Sequence, residues 1–104
     1  MTLKTISAVE LDLLLSSGAA PFLLDVREPE EVAEDGAIVD SINIPMDDVE
    51  RRLSEIPIDR DIVVICHLGA RSACITTILN ALGYDRAVNL RGGMEAWFKV
   101  ASMR

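Results

Sequence analysis

The chain has 104 residues, half of them hydrophobic, and a formal net charge of −7. That length predicts one domain over residues 1–104, with enough apolar content for a core that needs no disulfide staples. The negative balance, with no basic stripe to offset it, argues against a nucleic-acid or anionic-membrane surface. Residues 1–5 lack the apolar run of a signal peptide, and residues 11–15 are too short and too interrupted by Asp12 to span a membrane. A reducing cytoplasm is the expected setting, and it suits free thiols.

In chain order, Thr5 and Ile6 predict a short first strand. Ser7 opens a helix with Glu10 three positions later, the spacing of a capping box, and Leu11, Leu14 and Leu15 form its buried face. Gly18 stops it, with Pro21 beyond. Residues 22–26 form a continuous apolar run closed by charge, a strand buried on both faces, with Asp25 and Arg27 at its carboxyl end. Pro29 starts a helical turn that Gly36 breaks. Its acids, Glu28, Glu30, Glu31, Glu34 and Asp35, read as a solvated face. Residues 41–44 alternate up to Pro45 and predict a strand. Asp47 or Asp48 caps a helix lined by Val49, Leu53 and Ile56 and ended by Pro57.

Residues 62–65, Ile-Val-Val-Ile, predict a fully buried strand, and residues 73–82 have helical spacing, with Ile75, Ile78, Leu79 and Leu82 on one side. Gly83 closes that helix, residues 87–90 form the last strand, and Gly92-Gly93 turns into a final helix carrying Met94, Trp97 and Ala101. Alternation of strands and helices predicts an α/β fold: three layers, α/β/α, around a mostly parallel sheet.

Between the fully buried strand and its helix stands Cys66-His67-Leu68-Gly69-Ala70-Arg71-Ser72. A thiol at the carboxyl end of a core strand, where the chain turns into a helix, occupies the place where open α/β sheets keep their chemistry. Inward-pointing N–H groups of such a turn, at a helix N-terminus, favour negative charge, and the expectation is a thiolate nucleophile in an anion-binding cradle. The alternative for Cys66 is a buried structural thiol. Cys74, inside the helix, reads as a small core residue, with the role of a resolving thiol as the alternative. Arg71 either hydrogen-bonds loop carbonyls or binds an anion directly. His67 reads as a solvent-facing loop residue with proton transfer as its alternative role. Trp97 and Met94 read as core anchors, and Asp25 as the partner of an arginine, with a general acid as its alternative role. Two cysteines and one histidine make neither a disulfide framework nor a zinc set, so no metal or cofactor is expected.

Four pieces, in order, carry a resemblance: Asp25-Val26-Arg27-Glu28, Ile42-Asn43-Ile44-Pro45, Cys66-x-x-Gly69-x-Arg71-Ser72 and Leu90-x-Gly92-Gly93-Met94-x-Ala96-Trp97. Together they resemble the rhodanese-like sulfurtransferase family. The resemblance implies a single rhodanese domain with a five-stranded, mostly parallel sheet. It implies that Cys66 takes a sulfane sulfur from a small anionic donor such as thiosulfate and passes it to cyanide or a thiol, including a thiol-carrying protein. It also implies that His67, Leu68, Gly69, Ala70, Arg71 and Ser72 form the cradle, and that Asp25 and Arg27 support it. The chain departs from the family's Gly-His-Ile-x-Gly-Ala: it reads Gly36-Ala37-Ile38-Val39-Asp40-Ser41, with one residue more between Glu31 and Gly36.

Two other readings compete. A non-catalytic interaction or sulfur-carrier module is one. A Cys-loop phosphatase or arsenate reductase is the other, but such loops resemble Cys-x5-Arg, and here four residues separate Cys66 from Arg71.

Overall fold

The structure is a computed structural model that describes residues 2–103. Its elements run β1 (Thr5–Ile6), α1 (Ala8–Ser16), β2 (Phe22–Asp25), α2 (Pro29–Asp35), β3 (Ile42–Asn43), β4 (Ile62–Ile65), α3 (Ala70–Ala81), β5 (Ala87–Leu90) and α4 (Gly93–Ala101). Two 3-10 segments, Met46–Asp48 and Glu50–Glu55, lie between β3 and β4. The strands form one five-stranded sheet in the order β1-β5-β4-β2-β3, and every pairing is parallel. The sheet is therefore wholly parallel rather than mostly so.

The period-two geometry of β4 divides the core. Ile62, Val64 and Cys66 pack on one face with Leu24, Ile44, Ile75 and Leu79, under α3. Val63 and Ile65 pack on the other with Leu11, Leu23, Met94 and Trp97, under α1 and α4. This is the three-layer α/β/α arrangement. Parallel strands need crossover connections, and the helices supply them while covering both faces.

The local signals resolve with physical reasons. Ser7 Oγ accepts from Glu10 N at 3.1 Å and Ser7 N donates to Glu10 Oε1 at 2.9 Å, so the capping box is complete. Pro29 sits in the first turn of α2, and Gly36 caps its end with φ +84°. Asp40 stands where the resemblance places a glycine, and it is the one non-glycine with positive φ among the described residues, at +67°. Aspartate is one of the few residues that visit this left-handed region readily.

Four expectations are corrected. The segment after Pro45 is not an α-helix capped by Asp47 or Asp48. It is two 3-10 pieces entered from Pro45, with a non-helical Arg52 (φ −114°, ψ 27°) inside the second. Val49 and Ile56, on either side of the second piece, both reach the core. Helix α3 begins at Ala70, not residue 73, so Arg71 and Ser72 belong to its first turn. Leu14 and Leu82 are exposed at helix ends, although Leu11 and Leu79 are fully buried. Cys74 is exposed rather than in the core, because the buried side of α3 is set by Ser72, Ile75, Thr76 and Leu79.

Candidate active site

Cys66 follows β4 directly and continues its alternation, so its side chain points toward α3 and not toward α4. The chain must then reverse within three residues to start α3. Gly69 makes the reversal possible, with φ +107° at the helix N-cap. The turn aims two amides at the sulfur: Gly69 N at 3.1 Å and Ser72 N at 3.3 Å from Cys66 Sγ. They belong to the N-cap and the first turn of a 12-residue helix, whose orphan N–H groups and dipole favour negative charge. Of the expected cradle residues, Gly69 and Ser72 turn their amides to the sulfur, while His67, Leu68, Ala70 and Arg71 line the adjoining cavity.

Ser72 adds a third contact. Its hydroxyl lies 3.2 Å from Cys66 Sγ, 3.2 Å from Gly69 O and 2.5 Å from Asn89 Oδ1. A hydroxyl has one proton to give. Beside a protonated thiol, Ser72 accepts from sulfur and donates to Asn89. Beside a thiolate, it can rotate and donate to sulfur, which leaves Asn89 Oδ1 without that proton. Asn89 was not among the sequence candidates. Its signal was an amide inside the otherwise apolar strand Ala87-Val88-Asn89-Leu90, a buried polar group that needs a partner.

The turn is pinned from below by α4. Met94 N donates to Cys66 O at 2.8 Å and Glu95 N donates to His67 O at 3.1 Å. Gly93 allows this approach: a Cβ there would stand 2.4 Å from Cys66 O and 2.5 Å from His67 O. The glycine pair recognised as a sharp turn is thus also a close backbone contact with the cysteine loop.

Although Cys66 is only 1% exposed, it opens on a cavity of about 150 Å3 lined also by His67, Leu68, Ala70 and Arg71. A water molecule's share of liquid is about 30 Å3, so the cavity has room for a small molecule of several heavy atoms. His67 and Leu68 are exposed at its rim. Three larger grooves, two of about 290 Å3 and one of about 450 Å3, lie elsewhere, and none is lined by a thiol.

Arg71 neither caps loop carbonyls nor stands open as an anion ligand. Its Nη1 and Nη2 donate to Glu31 Oε1 at 2.7 Å and Oε2 at 2.8 Å, a two-pronged pair with both side chains about one-third exposed (35% and 32%). The guanidinium lowers the Glu31 carboxyl from 4.5 to about 2, and the amide of Glu28 adds to the effect against the cost of burial. Glu31 in turn raises Arg71 further, with smaller help from Cys66 and Glu28. The acidic run of α2 predicts a solvated face, and Glu31 departs from it. Its distinguishing feature is position: α2 follows the carboxyl end of β2, the same sheet edge where β4 ends at Cys66.

Asp25 and Arg27 are fully buried and paired. Arg27 Nη2 lies 2.7 Å from Asp25 Oδ2, and Nε donates to the same carboxylate. Arg27 Nη2 also donates to Gly36 O at 2.8 Å. Asn43 Nδ2 donates to the carbonyls of Asp25 and Arg27, both at 2.9 Å. This network ties β2 to β3 and to the end of α2, and Val26 N donates to Ile65 O at 2.9 Å next to Cys66. The pair does not line the cavity. No cluster of three His, Cys, Asp or Glu side chains suited to a metal ion, and no helix long and apolar enough to cross a membrane, occurs among the described residues.

The family model described as Rhodanese-like domain matches residues 7–99. The chain belongs to the rhodanese-like domain family. This rhodanese domain is 48% identical over 75 residues to a protein of Allochromatium vinosum named sulfurtransferase, covering 72% of this chain and 69% of that one. Among solved structures it resembles a rhodanese-like domain protein from Staphylococcus aureus, with TM-score 0.86 and 36% identity, covering 91% of each chain. It also resembles the human single-domain sulfurtransferase TSTD1, with TM-score 0.82 and 31% identity, covering 94% of this chain and 97% of that one.

Proposed function

We propose that this rhodanese domain is a sulfurtransferase that carries sulfane sulfur on Cys66. The observation that supports the reading best is the convergence of two amide N–H groups and a hydroxyl on Cys66 Sγ beside an open cavity. Relatives named as sulfurtransferases support the reaction class. Small donors such as thiosulfate fit the size of the cavity, and no cofactor is needed for the chemistry.

In the first half-reaction the Cys66 thiolate attacks the sulfane sulfur of thiosulfate. A new S–S bond forms, the old one breaks, and sulfite leaves with its electron pair. Thiolate suits both halves of the cycle because it is a soft nucleophile and a good leaving group. The terminal sulfur of the Cys66 persulfide carries negative charge, and donors already aimed into the loop lower the barrier to its formation. In the second half-reaction cyanide attacks that terminal sulfur and leaves as thiocyanate, or a thiolate attacks it and leaves as a persulfide. Either way the electron pair returns to Cys66. Acceptor thiols include those of a carrier protein, for which exposed His67 and Leu68 form the rim.

The phosphatase reading is disfavoured by two observations. The Cys66-to-Arg71 spacing is one residue short of the Cys-x5-Arg pattern, and the guanidinium that would clamp an oxyanion is engaged by Glu31.

Intact-mass measurement tests the proposal. Thiosulfate should add one sulfur, about 32 Da, and cyanide should remove it. Cys66→Ala should abolish the adduct and Cys74→Ala should keep it. Sulfur found on Cys74 alone, or no adduct from any sulfane donor, would overturn the assignment.

A further inference from the structure

We propose that Glu31 sets the charge preference of the site: by holding Arg71 with both carboxylate oxygens it withholds the guanidinium's field from the cavity beside Cys66, and so favours weakly charged sulfur donors over dianions. This deepens the sulfur-transfer reading and rests on it.

Three observations meet here. Arg71 is the one permanently charged cation in the cavity lining of Cys66, His67, Leu68, Ala70 and Arg71. Its guanidinium nevertheless points both of its terminal nitrogens at Glu31, at 2.7 and 2.8 Å, and the exposed wall of the cavity is almost wholly apolar. The cradle that does face the sulfur consists of neutral dipoles, Gly69 N, Ser72 N and the Ser72 hydroxyl. Dipoles at contact range reward one localised charge on sulfur, whereas a free guanidinium would reward total donor charge over a longer distance. The Glu31 carboxylate stays ionised down to pH about 2, so the pair is not undone by mild acid.

The charge arithmetic gives the expected size. With Glu31 ionised, the pair contributes no net charge at the mouth of a chain that is already at −7. Without that carboxylate charge, Arg71 contributes one positive charge. One unit of charge felt across a few ångströms near a protein surface changes a rate constant roughly three- to tenfold for each charge on the reagent. Thiosulfate, with two charges, gains roughly the square of that factor. An uncharged reagent gains nothing. The gains shrink as salt is added.

Glu31→Gln is the suitable change. It removes the charge while keeping an amide oxygen that can accept from Glu28 N, which now donates to Glu31 Oε1 at 2.9 Å, so the start of α2 is preserved. The first measurement does not involve sulfur transfer. Alkylation of Cys66 by iodoacetate and by iodoacetamide is followed by peptide mapping, since exposed Cys74 also reacts. The two reagents differ by one negative charge. The iodoacetate-to-iodoacetamide ratio at Cys66 should rise roughly three- to tenfold in Glu31→Gln and fall back in high salt. Glu34→Gln, an exposed acid one turn along the same helix, should change the ratio less than about twofold. The second measurement compares kcat/KM for thiosulfate, methanethiosulfonate and a hydropersulfide with an uncharged tail, where the gain in Glu31→Gln should be graded by donor charge.

A ratio that does not move in Glu31→Gln, or that moves equally in Glu34→Gln, overturns the proposal. A ratio that moves as expected in a protein that accepts sulfur from no donor sustains the electrostatic role of Glu31 and sinks the sulfur-transfer reading instead.

Discussion

Gly93→Ala is the sharpest test of how the cysteine turn is held. Gly93 lies at φ +57°, and a Cβ built there falls 2.4 Å from Cys66 O and 2.5 Å from His67 O. Those obstacles are backbone atoms, so no side-chain rotation relieves them. A left-handed conformation costs an alanine about 1–2 kcal/mol. Forcing the loop off α4 adds an overpacking cost of about 1–3 kcal/mol. The bonds from Met94 N to Cys66 O and from Glu95 N to His67 O are weakened as well, each worth about 0.5–1.5 kcal/mol. Together about 3–8 kcal/mol is expected, a large part of the 5–15 kcal/mol that holds an ordinary domain. At roughly 4–8 °C per kcal/mol, the melting temperature should fall by on the order of 20 °C or more. Because the displaced segment carries Cys66, single-turnover sulfur loading from thiosulfate should slow about tenfold or more in the molecules that remain folded. Circular dichroism melts and time-resolved intact mass read the two effects. Gly18→Ala is the control: its φ is +84° with nothing within 4 Å of a Cβ, so it should lose stability without losing loading rate. If Gly93→Ala melts within a few degrees of the parent and loads sulfur at the parental rate, the account of how α4 pins the loop is wrong.

Ser72→Ala removes the hydroxyl at 3.2 Å from Cys66 Sγ and leaves Asn89 Oδ1 without its partner, so sulfur loading should slow roughly tenfold, measured by stopped reaction and mass. Asp25→Ala strands the fully buried Arg27 guanidinium and should cost about 3–5 kcal/mol in urea denaturation. Asp40→Gly relieves a residue at φ +67° and should stabilise by about 0.5–1 kcal/mol, seen as a melting temperature a few degrees higher. Glu31 titrates at about 2 in the fold against an ordinary 4.5, so its pair with Arg71 adds stability above pH 4.5 that is lost as pH falls toward 2. The urea-midpoint difference between the parent and Glu31→Gln should therefore be constant near neutrality and shrink across that window.

Much of the fold was legible because its signals are local. The capping box of Ser7 and Glu10, the apolar runs before Asp25 and Cys66, and the glycines after α1, α2 and α3 act within a few residues, so their spacing alone reports them. The four family pieces all lie at the carboxyl edge of the sheet or at the turns leading from it, which is why they outline the candidate site as well. The segment after Pro45 was misread because apolar spacing cannot distinguish an α-helix from 3-10 turns when the chain is confined between two prolines. The start of α3 was misplaced because Ala70, Arg71 and Ser72 resemble loop residues. They become a first turn only when Gly69 reverses the chain.

By itself, the sequence determined the α/β alternation, the five strands and the place of a thiol at the end of a buried strand, since these follow from periodicity and turn chemistry. What only tertiary structure decided is the company that thiol keeps. Glu31 meets Arg71 from 40 positions away, Asn89 meets Ser72 from 17 away, and Gly93 lies against the Cys66 and His67 carbonyls because parallel strands bring their carboxyl ends to one edge. Charge neutralisation and steric fit between such distant groups depend on separations of a few ångströms in space, and no spacing along the chain encodes them.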